Sequence, residues 1–406
     1  MTEAPQIILY HYAYSPFARR VQWYLLLRGL PYSECLQPPT MPRPDLRLLG
    51  VRHRRIPVLA IGRDVYMDSR LILRKLEQIA SPSLPPLLGI TAAAGLSSSS
   101  SSSSPELLAL ERLLDVLTVD GTLFANAGRL IPDSVPLLKD PAFHKDRADF
   151  MGAPMFPHHP LGDRARNSNH VSPSSSDLRR AEALVEIRHA AALLETTMLA
   201  DGRDWILRTA APSLADIEAI WPFHWLASMP GAFDVGGGGG GGSSSRSAAS
   251  APQAGLSREQ YPRLLAWVDR FNTVLRAARK AREPPVPRLD GPTAAAAVWA
   301  APFHEVQPDS NGDNDYVDPS DPVARVSGLR AGQRVVVWPT DTGASGRDVG
   351  RLVRLTADEV VLAIGPSEDR SSSSSSSGTS SLSIHLHAPR HGFRVRPFDE
   401  ADEAKL

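Results

Sequence analysis

Two segments decide the fold: IILYHYAYSPFARRV (residues 7–21) and RIPVLAIGRDVYMDS (residues 55–69). The apolar run over residues 7–11 predicts a buried strand. Ser15-Pro16 follows it, and this pair is typical of a helix start because serine caps the first turn and proline fits it. The first segment therefore predicts a strand that leads directly into a helix.

The same region continues with further short elements. The predicted elements are a strand over residues 32–36, a helical turn over 45–49, a hairpin of strands 58–61 and 65–67, and a helix from Ser69 onward. Their order is β-α-β-α-β-β-α. A parallel β-α-β unit followed by a hairpin and a covering helix is the thioredoxin-like arrangement, and we predict this fold for residues 5–82.

Composition divides the rest of the chain. Residues 81–104 are rich in proline and serine, and such a linker cannot bury enough apolar surface to fold. Leucines at helical spacing predict an all-helical domain over residues 105–283, with low-complexity inserts. Residues 284–322 are rich in Pro, Ala and Asp and are expected to be a linker. Short strand-like runs over residues 323–400 predict a small β-barrel-like domain, so the fold class is α+β multidomain.

The charge balance and the cysteine content limit the possible partners. Basic and acidic residues both number 44, and residues 317–406 hold ten arginines and one lysine against twelve acidic residues. We therefore expect neither a nucleic-acid nor a membrane partner. Cys35 is the only cysteine, which excludes an internal disulfide and a zinc site made of thiolates. No run approaches the roughly 20 apolar residues that span a bilayer, and a cytoplasmic location is expected.

Two further patterns resemble metal sites. His385-x-His387 could face one way from a strand, yet no third ligand is apparent. Asp309-x-Asn311-x-Asp313 is similar to a calcium loop but lacks the required glycine and the closing glutamate. We therefore expect no metal.

Three motifs in the N-terminal region are candidates for binding or catalysis, and each also has a purely structural interpretation. Ser15 lies where a strand meets a helix start. This position favours an anion, and the Ser15 hydroxyl could donate a hydrogen bond to a thiolate there. Alternatively, Ser15 is a plain N-cap. Pro57 either makes a cis peptide bond that turns the backbone of Ile56 toward an extended ligand, or is a trans proline at a strand edge. Asp68-Ser69 either holds an amine and a carboxylate together or simply caps the next helix.

In this order the three motifs resemble the N-terminal domain of glutathione transferases, across essentially residues 7–79. The run Ser15-Pro16-Phe17, followed by Arg19-Arg20-Val21, is similar to the tau and omega groups of that family. The resemblance implies glutathione as the co-substrate, with Ser15 as the catalytic group that activates its sulfur. It implies glutathione contacts for Phe17, Arg55, Ile56, Pro57, Asp68 and Ser69.

Within that set, the resemblance assigns each part of glutathione to particular residues. The cysteinyl backbone would pair with Ile56, with Pro57 cis. The γ-glutamyl end would meet Asp68 and Ser69, and Arg55 would contact the glycine carboxylate. Omega-type members carry a cysteine where this chain has serine, so thiol transfer is not implied.

The second half of the chain resembles the same family more loosely. Residues 205–217 and 261–267 are similar to parts of its helical domain, whereas the inserts and the β-rich tail resemble a divergent fungal branch with an appended C-terminal domain. The implied function is a glutathione transferase that conjugates the thiolate of glutathione to an unidentified electrophile. Two alternatives stay open: a non-catalytic glutathione-binding or protein-interaction protein, and a glutathione-dependent isomerase or dehalogenase. The family also implies a possible homodimer.

Overall fold

The N-terminal elements follow the predicted order. The computed structural model describes residues 5–79, 105–132, 134–152, 175–230, 232, 255–305, 316–366 and 382–399. The first elements are β1 (Ile7–His11), α1 (Pro16–Leu27), β2 (Ser33–Leu36), α2 (Pro44–Arg47), β3 (Val58–Ile61), β4 (Asp64–Met67) and α3 (Ser69–Glu77). Strand β1 is parallel to β2 and antiparallel to β3. This arrangement confirms the thioredoxin-like fold.

Helix α1 begins where the local sequence predicts it. Ser15 has an extended backbone, with φ −66° and ψ 118°, and its hydroxyl accepts a hydrogen bond from the Ala18 N–H at 3.2 Å. Pro16 occupies the first turn, where its missing N–H is not needed. The chain leaves the helix at Gly29, whose φ of +63° favours glycine.

A set of helices follows the first domain. Its members are α4 (Pro105–Asp115), α5 (Leu123–Arg129), α6 (Pro141–Met151), α7 (Ser175–Leu193), α8 (Leu214–Ala227) and α9 (Pro262–Ala281), with short helical turns at Val116–Asp120, Pro136–Lys139 and Leu194–Met198. Helix α6 lies within residues 105–283, where the leucine spacing predicted helices. Across the described ranges, no helix is both long and apolar enough to cross a membrane. The predicted serine linker, residues 81–104, and the glycine run, residues 236–242, lie outside the described residues.

Helix α8 begins with a capping box formed by Ser213 and Asp216. The Ser213 N–H donates to Asp216 Oδ2 at 2.8 Å, and the Ser213 hydroxyl donates to the same oxygen at 2.6 Å. The other carboxylate oxygen of Asp216 accepts from the Ile206 N–H at 2.9 Å and from Trp267 Nε1–H at 3.0 Å. Because Asp216 is fully buried, its four hydrogen bonds tie the start of α8 to α9 and to the loop before α8.

Residues 284–305 do not form the linker that their composition suggested. They contain α10 (Gly291–Ala300), which Asp290 caps by accepting from the Thr293 N–H at 2.8 Å. The buried side chains of this helix are Ala294, Ala295, Val298 and Trp299. The alanines that suggested a linker form the buried face of a helix, since small side chains let its backbone approach the neighbouring elements closely.

The C-terminal strands extend the N-terminal sheet. They are β5 (Tyr316–Val317), β6 (Arg334–Pro339), β7 (Asp348–Leu355), β8 (Glu359–Ile364), β9 (Ile384–Pro389) and β10 (Phe393–Pro397), with α11 (Pro322–Ser327) after β5. The sheet order is β10-β6-β7-β8-β9-β4-β3-β1-β2, and β5 pairs with β7. Strand β9 lies parallel to β4, with Asp64 opposite His385 and Tyr66 opposite His387. The separate small barrel is therefore not confirmed, because β4 pairs directly with the tail.

The sheet separates two hydrophobic cores, as strand β1 illustrates. Ile7 and Leu9 belong to the core shared with α1, α3 and the helices that follow. Ile8 and Tyr10 belong to the core shared with α10 and the C-terminal strands. Successive side chains of a strand point to opposite faces, so an entirely apolar strand suits a sheet that is buried on both sides.

Candidate functional site

Strand register brings the three sequence motifs to one edge of the sheet. Tyr10 on β1 lies opposite Val58 on β3, and Val58 lies opposite Met67 on β4. The chain segments next to these three residues therefore lie side by side at one end of the strands. We call this place the site edge. It contains Ser15 of the first segment, Ile56-Pro57 of the second and Asp68-Ser69 of the third.

Ser15 is held by the start of α1. It is only 1% exposed, its N–H donates to the Tyr12 carbonyl at 3.1 Å, and its hydroxyl oxygen accepts from the Ala18 N–H. A hydroxyl that accepts one hydrogen bond still has its own proton to donate. The helix N-terminus adds a partial positive charge at this point. The neighbouring Tyr14 is 52% exposed and forms the solvent side of this turn.

The second motif adopts the isomer that the resemblance implied. The Ile56–Pro57 peptide bond is cis. Ile56 is 8% exposed and packs in the core that contains β3, into which the chain continues directly.

Asp68 has an unusual backbone. Its φ is +68°, a value that only a minority of non-glycine residues adopt, and its carboxylate caps α3 by accepting from the Arg70 N–H at 2.9 Å. Burial alone raises the pKa of this carboxyl, but the Arg70 and Arg55 cations outweigh burial and hold the pKa of Asp68 below its usual value. The site edge therefore carries a fixed negative charge at neutral pH.

Arg20 is a site residue that the sequence motifs did not identify. It is fully buried, and its Nη1 donates to the Ser69 hydroxyl at 2.9 Å. Its Nη2 donates to Asp115 Oδ1 at 2.7 Å and also pairs with Glu218. Arg20 thus orients Ser69 while joining α1 to α4 and α8. In the sequence, the Arg19-Arg20 pair contributed only to the family resemblance. The buried partners of Arg20 are distant in sequence, so no local pattern indicated them.

Arg55 is engaged by a C-terminal loop. Its Nε donates to the Thr342 carbonyl at 2.9 Å, its Nη2 donates to the same oxygen at 2.6 Å, and it pairs with Asp341. Its guanidinium carbon lies 5.8 Å from the centre of the Phe393 ring. The loop after β6 therefore binds Arg55 through a carboxylate and a carbonyl oxygen. The family resemblance predicted that Arg55 contacts the glycine carboxylate of glutathione.

The contacts of Phe17 lie in the helical domain. Its ring centroid is 4.8 Å from that of Phe124 and 5.1 Å from that of Trp221. Phe17 is partly buried against the core that joins the N-terminal domain to the helices. Phe17, a predicted glutathione-binding residue, therefore packs against aromatic side chains. Its contacts are separate from those of Arg55, Asp68 and Ser69.

A buried polar cluster at the β4–β9 pairing brings together residues that could hold a metal. Asp64, His385 and His387 form one such group, and Glu305, Glu359 and His387 form another. Asp64 therefore supplies the third group that was not apparent beside the two histidines in the sequence. Lys75 Nζ lies 2.6 Å from Glu305 and 2.9 Å from Glu359, and Arg354 pairs with both glutamates. These cations balance the charges of the two glutamates in the second group.

Comparisons with known proteins agree with the fold of the N-terminal domain. A family model described as "Glutathione S-transferase, N-terminal domain" matches residues 9–84, and a model described as a domain of unknown function (DUF7962) matches residues 126–237. Glutathione S-transferase U1 of Arabidopsis thaliana is 37% identical over 73 residues, which are 18% of this chain and 33% of that protein. The chain thus matches about a third of the length of this curated relative.

A solved structure resembles nearly the whole chain. The crystal structure of a GST-like protein from Pseudomonas syringae aligns with a TM-score of 0.59 and 20% identity, covering 98% of this chain and 100% of that one. An identity of 20% supports a similarity of fold and nothing more specific. Residues 9–84 therefore form a domain of the glutathione S-transferase N-terminal type.

Proposed function

We propose that the chain is a glutathione transferase that conjugates the thiolate of glutathione to an electrophile bound against the helical domain. The observation that carries the proposal is the convergence of Ser15, Ile56-Pro57 and Asp68-Ser69 at the site edge. Taken singly, each motif has a structural interpretation. Their meeting at one edge, next to a helix N-terminus, supports a common ligand.

In this mechanism Ser15 lowers the pKa of the bound thiol. A free thiol has a pKa near 8.5 and is mostly protonated at neutral pH. Because the Ser15 oxygen already accepts from Ala18, its proton is free to point at the sulfur. That hydrogen bond and the partial charge of the helix terminus both favour the thiolate, which is the attacking form.

The γ-glutamyl end of glutathione suits the other side of the site edge. The Asp68 carboxylate, with its lowered pKa, provides a negative charge for the ligand's α-amino group. The Ser69 hydroxyl accepts from Arg20 and can donate its proton to the ligand's α-carboxylate. In this scheme Arg20 is a positioning residue, since it acts through Ser69.

Substitution of Ser15 tests the catalytic part of the proposal. We expect Ser15→Ala to reduce kcat for conjugation of a chromogenic aryl halide by roughly 10²–10³-fold, the usual effect of removing one donor to a developing anion. The dissociation constant for glutathione, measured by calorimetry, should change little. The matched control is Tyr14→Phe, which alters the exposed neighbour and should leave kcat unchanged. Equal turnover in Ser15→Ala and the parent chain would remove Ser15 from the mechanism.

A second candidate is a glutathione-binding or protein-interaction protein without catalysis. The low exposure of Ser15 and the engagement of Arg55 by Asp341 and Thr342 favour it. Calorimetric titration with glutathione, followed by a screen of several electrophile classes, separates the two candidates. Binding without turnover across the screen supports the second candidate, and absence of glutathione binding contradicts both.

A further inference from the structure

The loop between β6 and β7, residues 340–347, occupies the guanidinium group of Arg55. Arg55 Nε and Nη2 both donate to the Thr342 carbonyl, and Nη2 also donates to the Asp341 carboxylate. A guanidinium binds a carboxylate through two parallel hydrogen bonds, either from Nε with Nη2 or from Nη1 with Nη2. Because Nη2 belongs to both pairs and both of its protons are engaged, neither pair of donors is open to a ligand.

The β6–β7 loop is held in place by α6 and by Arg54. The Gly343 N–H donates to the Phe150 carbonyl at 2.6 Å, and Arg54 Nη1 donates to the Ser345 hydroxyl at 2.9 Å. The packing is close, since a Cβ added at Gly346 would lie only 2.9 Å from the Arg54 backbone nitrogen. The loop therefore forms a fixed wall beside Arg55.

The Asp341 carboxylate supplies the negative charge that a ligand carboxylate would bring to Arg55. The Asp341 side chain is 65% exposed and that of Arg55 is 16% exposed, so a ligand at the site edge can approach both. A second carboxylate placed there would lie next to a like charge and be repelled by it. Arg54 offers no substitute, because it already pairs with Asp146 and Asp149.

The ligand scheme implied by the resemblance brings the C-terminal end of the ligand to this place. The γ-glutamyl end meets Asp68 and Ser69, and the cysteinyl backbone pairs with Ile56. An extended peptide advances about 3.3 Å per residue, so the residue after the cysteine lies beside Arg55, the chain neighbour of Ile56. In glutathione that residue is a glycine, which ends in a carboxylate.

We propose that Asp341 is a specificity-determining residue, and that the site selects γ-glutamyl thiol peptides whose C-terminal end carries no negative charge. This inference rests on the proposed function, because it concerns the same site. An ester or an amide in place of the terminal carboxylate avoids the repulsion by Asp341 and can still accept a single hydrogen bond from Arg55 Nη1. A cationic end is favoured further, since it is attracted to the exposed Asp341 carboxylate.

Calorimetric titration of the full-length chain with two thiol peptides tests the proposal. The probes are glutathione and its glycine ethyl ester, which has no terminal charge. We expect the parent chain to bind the ester at least as tightly as glutathione. Asp341→Asn keeps the shape of the side chain and removes its charge, so it should tighten glutathione by roughly two- to fivefold, the range given by exposed charge pairs. The affinity for the ester should stay the same in this variant.

Asp358→Asn is the matched control for the change in net charge. The Asp358 side chain is 84% exposed in the turn between β7 and β8, and it lies 4.0 Å from Arg74. Its substitution removes one negative charge from the same part of the chain without touching the β6–β7 loop. The ratio of the two affinities should therefore equal that of the parent chain. High salt should reduce the effect of Asp341→Asn, because mobile ions screen exposed charges.

The results that contradict this inference differ from those that contradict the proposed function. Tighter binding of glutathione than of the ester by the parent chain would show that Arg55 still receives the glycine carboxylate. An unchanged affinity ratio in Asp341→Asn, or an equal shift in Asp358→Asn, would remove Asp341 as the selecting residue. In these cases the proposed function stands. If neither peptide binds to the parent chain or to the variants, the proposed function fails, and this inference fails with it.

Discussion

Glu111 is a buried carboxyl group whose charge opposes folding. It lies on α4, is 7% exposed, and its Oε2 has no hydrogen-bond partner within the described part of the chain. Burial, and then the neighbouring Glu77 carboxylate, raise the pKa of Glu111 to about 8. In the unfolded chain this group ionises near its ordinary value of 4.5, so the folded state binds the extra proton between about pH 4.5 and 8.

The pH dependence of stability follows from that difference. As pH rises from about 4.5 to 8, the free energy of unfolding should fall because of this group. Glu111→Gln removes the effect, so the variant should be more stable than the parent by about 1–3 kcal/mol at pH 8, with little difference near pH 4. Urea unfolding across this range measures it, with Glu186→Gln on the exposed side of α7 as the control. A difference that does not change with pH would contradict the assignment.

Single residues were predictable where their partners are close in sequence. Ser15 and Asp68 both cap the helices that they precede, and each accepts from a backbone N–H within three residues. Arg55 differs, because its partners Asp341 and Thr342 are nearly 290 residues away. Nothing in the local sequence of an arginine reveals which distant loop the fold will bring to it.

At the scale of elements, Arg20 joins four helices through one buried cation. From α1 it reaches Ser69 at the start of α3, Asp115 on α4 and Glu218 on α8. Arg20→Gln leaves the two carboxylates buried without their cation, which we expect to lower the free energy of unfolding by about 3–5 kcal/mol at pH 7. Chemical denaturation measures the loss.

The adjacent arginine offers a matched control for that variant. Arg19 is only partly buried, and its Nη1 contacts Ser228 Oγ at 3.4 Å. Arg19→Gln should therefore change stability by no more than about 0.5 kcal/mol. Equal losses in the two variants would mean that the buried pairs of Arg20 do not hold the helices together.

For the whole molecule, the sequence predicted its elements better than their assembly. The β-α-β-α-β-β-α order and the cap of Ser15 on the first helix depend on local patterns and are present as expected. The pairing of β9 with β4 joins segments some 320 residues apart, and period-2 alternation cannot identify a strand's neighbour. Composition likewise misled at α10, because an alanine-rich helix face and an alanine-rich linker are alike in residue content.

The continuous sheet has a consequence for cooperativity. Leu386 on β9 is fully buried, lies opposite Val65 on β4, and belongs to the core that also contains Ile8 of β1. Leu386→Ala should lower the free energy of unfolding by roughly 2–5 kcal/mol, as expected for a large buried side chain cut to a methyl group. Because one core serves both parts of the sheet, hydrogen exchange should accelerate equally in β1–β4 and in β6–β8. Val326→Ala, at an 89% exposed position of α11, is the control and should leave exchange unchanged. Acceleration confined to residues 316–399 would mean instead that the C-terminal strands unfold as an independent domain.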